Sequence, residues 1–417
     1  MLNKLLVRNR WKSIVQPWQE VDLSLFAACI GLTVFGGIMI HSVELNQGRI
    51  DWWRHWATGG VGLVLAILIA RCRYEMLIQW KWIIYAFINF SLIAVRAIGI
   101  TALGAQRWIN IGGFHVQPSE FAKVGVIITL AALLQARPSP SLGDMLKMLA
   151  VVSVPWALVL SEPNLGTSLV FGAIAMGMLY WGNVNPGWLI LLISPIISAL
   201  LNNVFLPTWL FWVVGMGLIA WRTLPWSWLT APTAVAINVI SGQVGHFYWN
   251  LLKDYQKTRL TGFLDPEKDP LGSGYHLIQS RIAIGSGGVH GRGLFQGTQT
   301  QLNFIPEQHT DFIFSAIGEE LGFIGCILVL GLFWFICLRL VIIAQTAKDN
   351  FGSLLAIGML AMLVFQVFVN IGMNIGLAPV TGIPLPFLSY GNAALLSNFI
   401  ALGLVESVAN HRQRLKF

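Results

Sequence analysis

Long apolar runs, separated by short polar or Gly- and Pro-rich stretches, occupy most of the chain. A membrane-crossing helix needs about 20 predominantly apolar residues, and somewhat shorter runs also serve. On that measure the pattern predicts spans at 22–41, 56–71, 80–99, 118–135, 145–161, 166–182, 187–204, 207–222 and 228–250. Three more follow at 313–340, 352–374 and 391–409, after one long polar interruption. Lipid offers unpaired backbone groups no partner, so about twelve such runs imply an all-α polytopic membrane bundle. Composition strengthens this reading: 56% of residues are hydrophobic and only 11% charged, against about 25% charged in soluble domains.

The net charge of +8 would suit a nucleic-acid ligand if the cations formed a patch. They lie instead at the ends of apolar runs, where they act as topogenic signals, so nucleic acid is excluded as a partner. Lys4, Arg8, Arg10 and Lys12 place the N-terminus in the cytoplasm, and Arg412, Arg414 and Lys416 place the C-terminus there too. Arg71, Arg73, Lys81, Arg137, Lys147, Arg222, Arg339 and Lys348 mark inner loops. By the same parity, the connections 100–117, 251–312 and 375–390 face outward. The basic N-terminal segment precedes a full-length span without a small-residue cleavage site, and is expected to be an uncleaved leader. Cys29, Cys326 and Cys337 fall inside apolar runs and Cys72 at a helix end, a pattern that fits neither a disulfide framework nor a metal site.

Chemistry concentrates in the outer connections. A loop as long as 251–312 is functional or disordered, and its aromatic and aliphatic residues argue against disorder. Residues 275–284 predict a short amphipathic helix at the interface. The run from Gly285 to Gly293 lacks the P-loop pattern; a turn with positive φ and an anion cradle are both open. Asp265 and Asp269 each precede Pro, which suits a turn, but a carboxylate at this surface also suits a general base or divalent-metal ligand. Glu120 and Lys123 share one helix face and can pair at the outer end of their span, just after Arg107 and Trp108. Glu162 ends another span, Arg281 lies in the long loop, and His309, Asp311, Glu319 and Glu320 crowd the start of a third. Ionisable groups at such depth are costly and mark functional cavities or polar networks. The segment 379–391, with three prolines and Ser389, cannot be regular helix and must line a cavity or be buried in protein.

The segments GAQRWINIGGFHVQPSEFAK at 104–123, EPNLGTS at 162–168, FLDPEKDPLGSGYHLIQSRIAIGSGG at 263–288, GTQTQLNFIPEQHTDFIFSAIGEELG at 297–322 and PVTGIPLPFLSYG at 379–391 occur in this order. Together they resemble the SEDS family (shape, elongation, division and sporulation proteins), in its RodA branch. The resemblance implies a peptidoglycan glycosyltransferase of cell elongation, which polymerises lipid II on the outer face of the bacterial cytoplasmic membrane. It implies a class B penicillin-binding protein and other elongation-complex membrane proteins as partners. It also implies that Asp265 is the essential acid and that Glu120 and Lys123 line the central cavity. Asp265 would deprotonate the attacking sugar hydroxyl or hold a divalent cation such as Mg or Mn, with no organic cofactor. Arg107, Lys123 and Arg281 would offset the diphosphate charge.

Three departures from the family pattern stand out. Asn164 replaces the usual Asp, Asn392 replaces the usual Gly after Ser-Tyr-Gly, and 183–250 holds three apolar runs where the family has one. An inserted helix pair at 187–222 would account for the last and would leave the orientation of the 251–312 loop unchanged. A lipid II flippase and a non-enzymatic scaffold for the penicillin-binding protein are the rival readings.

Overall fold

The computed structural model describes residues 21–46, 51–102, 105–111, 114–137, 139–162, 164–251, 266 and 274–412. Its long helices are α1 (Leu23–Glu44), α2 (Asp51–Arg71), α3 (Leu77–Ile98), α4 (Pro118–Leu134), α5 (Leu142–Leu160), α6 (Leu165–Trp181), α7 (Pro186–Val204), α8 (Leu206–Thr223) and α9 (Ser227–Leu251). After the short helices α10 (Tyr275–Gly287) and α11 (Thr298–Gln301) come α12 (Ile313–Thr346), α13 (Asn350–Ile375) and α14 (Asn392–Asn410). Each of the predicted apolar runs thus falls on one long helix. Among the described residues, 8 of these helices are long and apolar enough to cross a membrane by length and composition alone.

The core surrounds α4, α13 and α14. Helix α4 begins with Pro118 at its first position, where a missing N–H costs nothing and φ is already helical. Nearly every side chain along it is buried, Glu120 and Lys123 included. Helix α14 packs along α2, while α13 packs on α4, α6 and α12. A helix apolar all round belongs in the middle of a bundle, and polar groups on these three helices must therefore find partners inside the protein.

Helices α7, α8 and α9 pack chiefly on one another and meet the rest through α6 and α7. They share a small cluster of Ala220, Leu224, Ala231 and Ala234. Asn238 Nδ2 donates to Ser194 Oγ at 3.0 Å, Ser198 Oγ to the Asn238 carbonyl at 2.6 Å, and Trp209 Nε1 to Ser198 Oγ at 2.8 Å. Small residues and interhelical hydrogen bonds are the usual means of helix association where lipid removes the hydrophobic drive.

Two features depart from the sequence expectation. The chain was expected to be all-α, but the connection 100–117 holds a three-stranded antiparallel sheet, β1 (Ile100–Ala102), β2 (Ala105–Ile111) and β3 (Phe114–Val116). Its register pairs Ile109 with Val116 and Asn110 with His115. Strands β1 and β3 have only three residues each and the seven of β2 do not alternate strictly, so period-two patterning does not declare the sheet. The span expected at 313–340 is present but broken at Gly322, with φ 66° and ψ −161°, a region only glycine enters without strain. The break leaves helix backbone groups unpaired, and the run 288–293 supplies their partners. Arg292 N and Gly293 N donate to the Glu319 and Glu320 carbonyls, both at 3.0 Å, and Phe323 N donates to the Gly288 carbonyl at 2.9 Å.

The Gly-rich run is therefore a turn docked on a broken helix. Gly288, Gly291 and Gly293 have positive φ, and a Cβ on Gly291 would come within 2.1 Å of the Glu320 carbonyl oxygen. Helix α10 forms where a surface helix was expected, but it packs against α12 and α13 with Leu277, Ser280 and Ala283 buried.

Candidate active site

One end of the bundle gathers the sheet, the turn between α5 and α6, the approach to α12 and the segment before α14. They enclose a cavity of about 430 Å³. Strand β2 contributes Arg107 and Trp108, β3 contributes His115, and the next turn contributes Gln117 and Glu120. Asn164 and Thr167 come from the start of α6, and Glu307, His309 and Asp311 from the segment before α12. Gly382, Pro384 and Tyr390 to Ala394 complete the wall. Of the residues singled out from sequence, Arg107, Trp108, Glu120, His309 and Asp311 thus share one space.

Lys123 lies one turn below Glu120, and its Nζ reaches Glu120 Oε2 at 2.7 Å. The side chains of Lys123 and Glu120 are 1% and 4% exposed, so the pair forms a buried floor with Glu120 turned to the cavity. Glu162 stands behind Arg107, which donates from Nε to the Glu162 carbonyl at 3.0 Å. Burial pulls the Arg107 guanidinium below its ordinary pKa, against the pull of Glu162. Burial pushes the Glu162 carboxyl up to about 7, with Arg107 and Arg96 opposing it. Asn164 fills the N-cap of α6, its Oδ1 accepting from Thr167 N at 3.3 Å. An amide oxygen caps as well as a carboxylate does, so the departure at 164 keeps the helix start and removes a charge from the cavity wall.

Ser389 does not line the cavity; its Oγ accepts from Leu385 N at 2.8 Å and holds the Pro-rich turn closed. Arg281 is exposed on α10 and also lies outside the cavity lining. Asp265 and Asp269 lie outside the described residues. Glu319 and Glu320 take part in a hydrogen-bonded network outside the cavity lining: Glu320 accepts from Ser42 Oγ at 2.5 Å and Phe295 N at 3.1 Å, and Glu319 accepts four hydrogen bonds from 298–300. Among the described residues, no three His, Cys, Asp or Glu side chains come together as a metal site. Among the described residues, Glu120, Glu307 and Asp311 are the carboxylates that line the cavity, and oxygen donors of that kind would suit a hard cation.

Several contributors carry no sequence signal of their own. Asn370 and Asn374, inside the apolar α13, both donate from Nδ2 to the Asp311 carbonyl at 3.0 Å. Asn370 also donates to the Ile383 carbonyl at 2.7 Å, which ties the two irregular cavity walls to one helix. At the start of α2, Asp51 and Arg54 form an ion pair at 3.1 Å, with Arg54 beside Tyr390. Thr58 donates to Asn392 Oδ1 at 3.2 Å, so the Asn at 392 gains a partner that a glycine would lack.

Burial, with Glu307 adding to it, pushes the Asp311 carboxyl up to about 7. A carboxyl whose folded pKa exceeds its unfolded value makes no net contribution below the unfolded pKa. It then destabilises the fold progressively as pH rises from about 4 to about 7. Relative to Asp311→Asn, the protein is expected to lose thermal stability across that window and to run parallel above it. Unfolding in detergent at a series of pH values checks this, and parallel curves from pH 4 to 7 would refute it.

The family profile of FtsW, RodA and SpoVE, described as cell cycle protein, matches residues 23–209 and 187–414. The chain is 34% identical over 402 residues to the peptidoglycan glycosyltransferase MrdB of Escherichia coli K12, covering 95% of this chain and 96% of that one. It is 35% identical over 428 residues to the peptidoglycan glycosyltransferase RodA of Treponema pallidum, covering 94% and 98%. Among solved structures, it resembles a chain of a peptidoglycan synthase complex that coordinates polymerization and crosslinking. The TM-score there is 0.72 with 27% identity, covering 95% of this chain and 100% of that one. The rod shape determining protein RodA of Thermus thermophilus shares the fold, with TM-score 0.62 and 24% identity over 95% of this chain and 99% of that one.

Proposed function

This chain belongs to the FtsW, RodA and SpoVE family of cell cycle proteins, and from that membership we infer that it is a peptidoglycan glycosyltransferase of cell elongation and shape maintenance. Its substrate is lipid II, polymerised into glycan strands at the outer face of the bacterial inner membrane, with both termini cytoplasmic. Its partner is a class B penicillin-binding protein, which crosslinks the strands. The observation that carries the reading is the cavity itself: a polar chamber bounded by Arg107, Glu120, His309 and Asp311 at one end of an apolar bundle. An apolar surround suits a polyprenyl chain, and the chamber suits its sugar and diphosphate head.

In the proposed reaction a sugar hydroxyl forms a bond to the anomeric carbon of a second lipid-linked sugar. The bond from that carbon to the lipid diphosphate breaks, and the diphosphate leaves with the electron pair. Asp265 takes the hydroxyl proton. Arg107 stabilises charge on the departing diphosphate, and Lys123 sets the orientation of Glu120 from below. In the alternative to this base role, Asp265 would hold a divalent cation that lowers the pKa of the attacking hydroxyl. We also propose that α7 and α8 are an added pair on the family core. The peripheral packing of this region and the division of the family match into segments that overlap at 187–209 support that reading.

The test is to purify the protein with its penicillin-binding partner, supply lipid II and a divalent cation, and resolve the products by size. Glycan polymer is expected from the natural chain and not from Asp265→Ala. Equal polymer from both would refute the role of Asp265. Passage of lipid II across liposome membranes without polymer would overturn the enzymatic reading in favour of a flippase.

A further inference from the structure

The turn between α5 and α6 carries a buried acid that the reaction above does not use. Glu162 is 4% exposed, and neither of its carboxylate oxygens has a hydrogen-bond partner among the described residues. Buried charges are normally paired and hydrogen-bonded, and buried polar atoms without partners call for a reason. Among the described residues, the charged groups that face it are Arg107 from β2 and Arg96 from α3. The same residue's backbone carbonyl fixes Arg107 Nε at 3.0 Å, so one residue presents both a neutral anchor and an ionisable group to the same guanidinium. Arg107 also lines the cavity, while Glu162 stands outside its lining.

We propose that Glu162 is a positioning residue whose protonation state sets how strongly Arg107 binds an anionic diphosphate in the cavity. The inference rests on the glycosyltransferase reading. With Glu162 neutral, Arg107 keeps its bond to the carbonyl and the acid places no negative charge beside the ligand. With Glu162 ionised, the carboxylate attracts the guanidinium and repels the diphosphate. The coupling is reciprocal: ligand binding must favour the protonated form by the factor that ionisation weakens binding. Burial holds this carboxyl near pH 7, so the switch falls within the working range of a periplasmic or external face. Asn164, two residues on, is uncharged and keeps the acid of this turn behind the arginine instead of on the wall.

The experiment measures KM for lipid II and kcat separately between pH 6 and pH 8, using the complex with the penicillin-binding partner. Asp311 also titrates near 7, so every variant is compared in an Asp311→Asn background as well. If the ligand raises the Glu162 pKa by one unit, KM rises about fivefold between pH 6 and pH 8 in the natural chain, toward a limit of about tenfold above it. The rise is expected to vanish in Glu162→Gln and to persist in Glu162→Asp, with kcat following the same pH course in all three. A KM that rises equally in Glu162→Gln overturns the proposal. So does a flat KM in the natural chain, which needs no variant to fold. Polymer from none of the proteins at any pH would instead count against the glycosyltransferase reading itself.

Discussion

Replacing Lys123 with methionine is expected to remove about 3–5 kcal/mol of stability and to abolish polymerisation, because it leaves the Glu120 charge buried without its partner. Methionine matches the length of the lysine stem, so packing around α4 is largely kept. What disappears is the 2.7 Å bond to Glu120 Oε2, in a site where the two side chains are 1% and 4% exposed. A surface pair at the same i,i+3 spacing would be worth at most about 1 kcal/mol; burial decides the difference. Replacing both residues, as Glu120→Gln with Lys123→Met, removes the orphaned charge, and most of the stability should return. Activity should not, since the cavity loses the carboxylate that faces it. Chemical or thermal unfolding of the single and double variants, read as a double-mutant cycle, checks the first part, and the lipid II assay checks the second. A single variant as stable as the natural chain would show that the pair contributes nothing to the floor.

That pair was legible from the chain alone, because a three-residue spacing on any helix brings side chains onto one face and an apolar run announces the helix. The long runs themselves were equally plain, since lipid leaves few alternatives to helix. Other parts of the site have no such local signature. Gly322 sits in an apolar run among other glycines, and only the docked segment 288–293 makes its positive φ necessary. Asn370 and Asn374 read as isolated polar residues in α13, yet their acceptors on Asp311 lie 59 and 63 residues away in sequence. The sheet around Arg107 is built from strands of three and seven residues, and its first pairing is irregular between Ile100 and Thr101. Ser389 was drawn into the candidate set by its conspicuous motif, whereas its hydroxyl is occupied in closing the turn. Glu162 was singled out for its charge, but its place behind Arg107 depends on contact between segments 55 residues apart.

Removing Glu319 should loosen the cavity from a distance. Glu319 Oε1 accepts from Gln299 N at 2.8 Å and Thr298 Oγ1 at 3.2 Å, and Oε2 accepts from Thr300 N at 2.9 Å and Thr300 Oγ1 at 2.7 Å. Two of these donors are backbone amides at the start of α11, which have no partner within so short a helix. Glu319→Gln keeps the shape but replaces one acceptor oxygen with an NH2 group. One amide then faces another donor, at a cost of about 1–3 kcal/mol for the stranded group, in addition to the lost charge assistance. Glu319→Ala strands both amides and should cost more. The damage should travel along a short covalent and hydrogen-bonded route. Gln308 Nε2 donates to the Thr300 carbonyl at 3.1 Å, and the next residues, His309 to Asp311, form the cavity wall. The expected result for Glu319→Ala is faster proteolysis between residues 288 and 302, a lowered unfolding temperature and a sharp loss of polymer. Loss of polymer with unchanged proteolysis and stability would instead assign Glu319 to direct contact with the substrate.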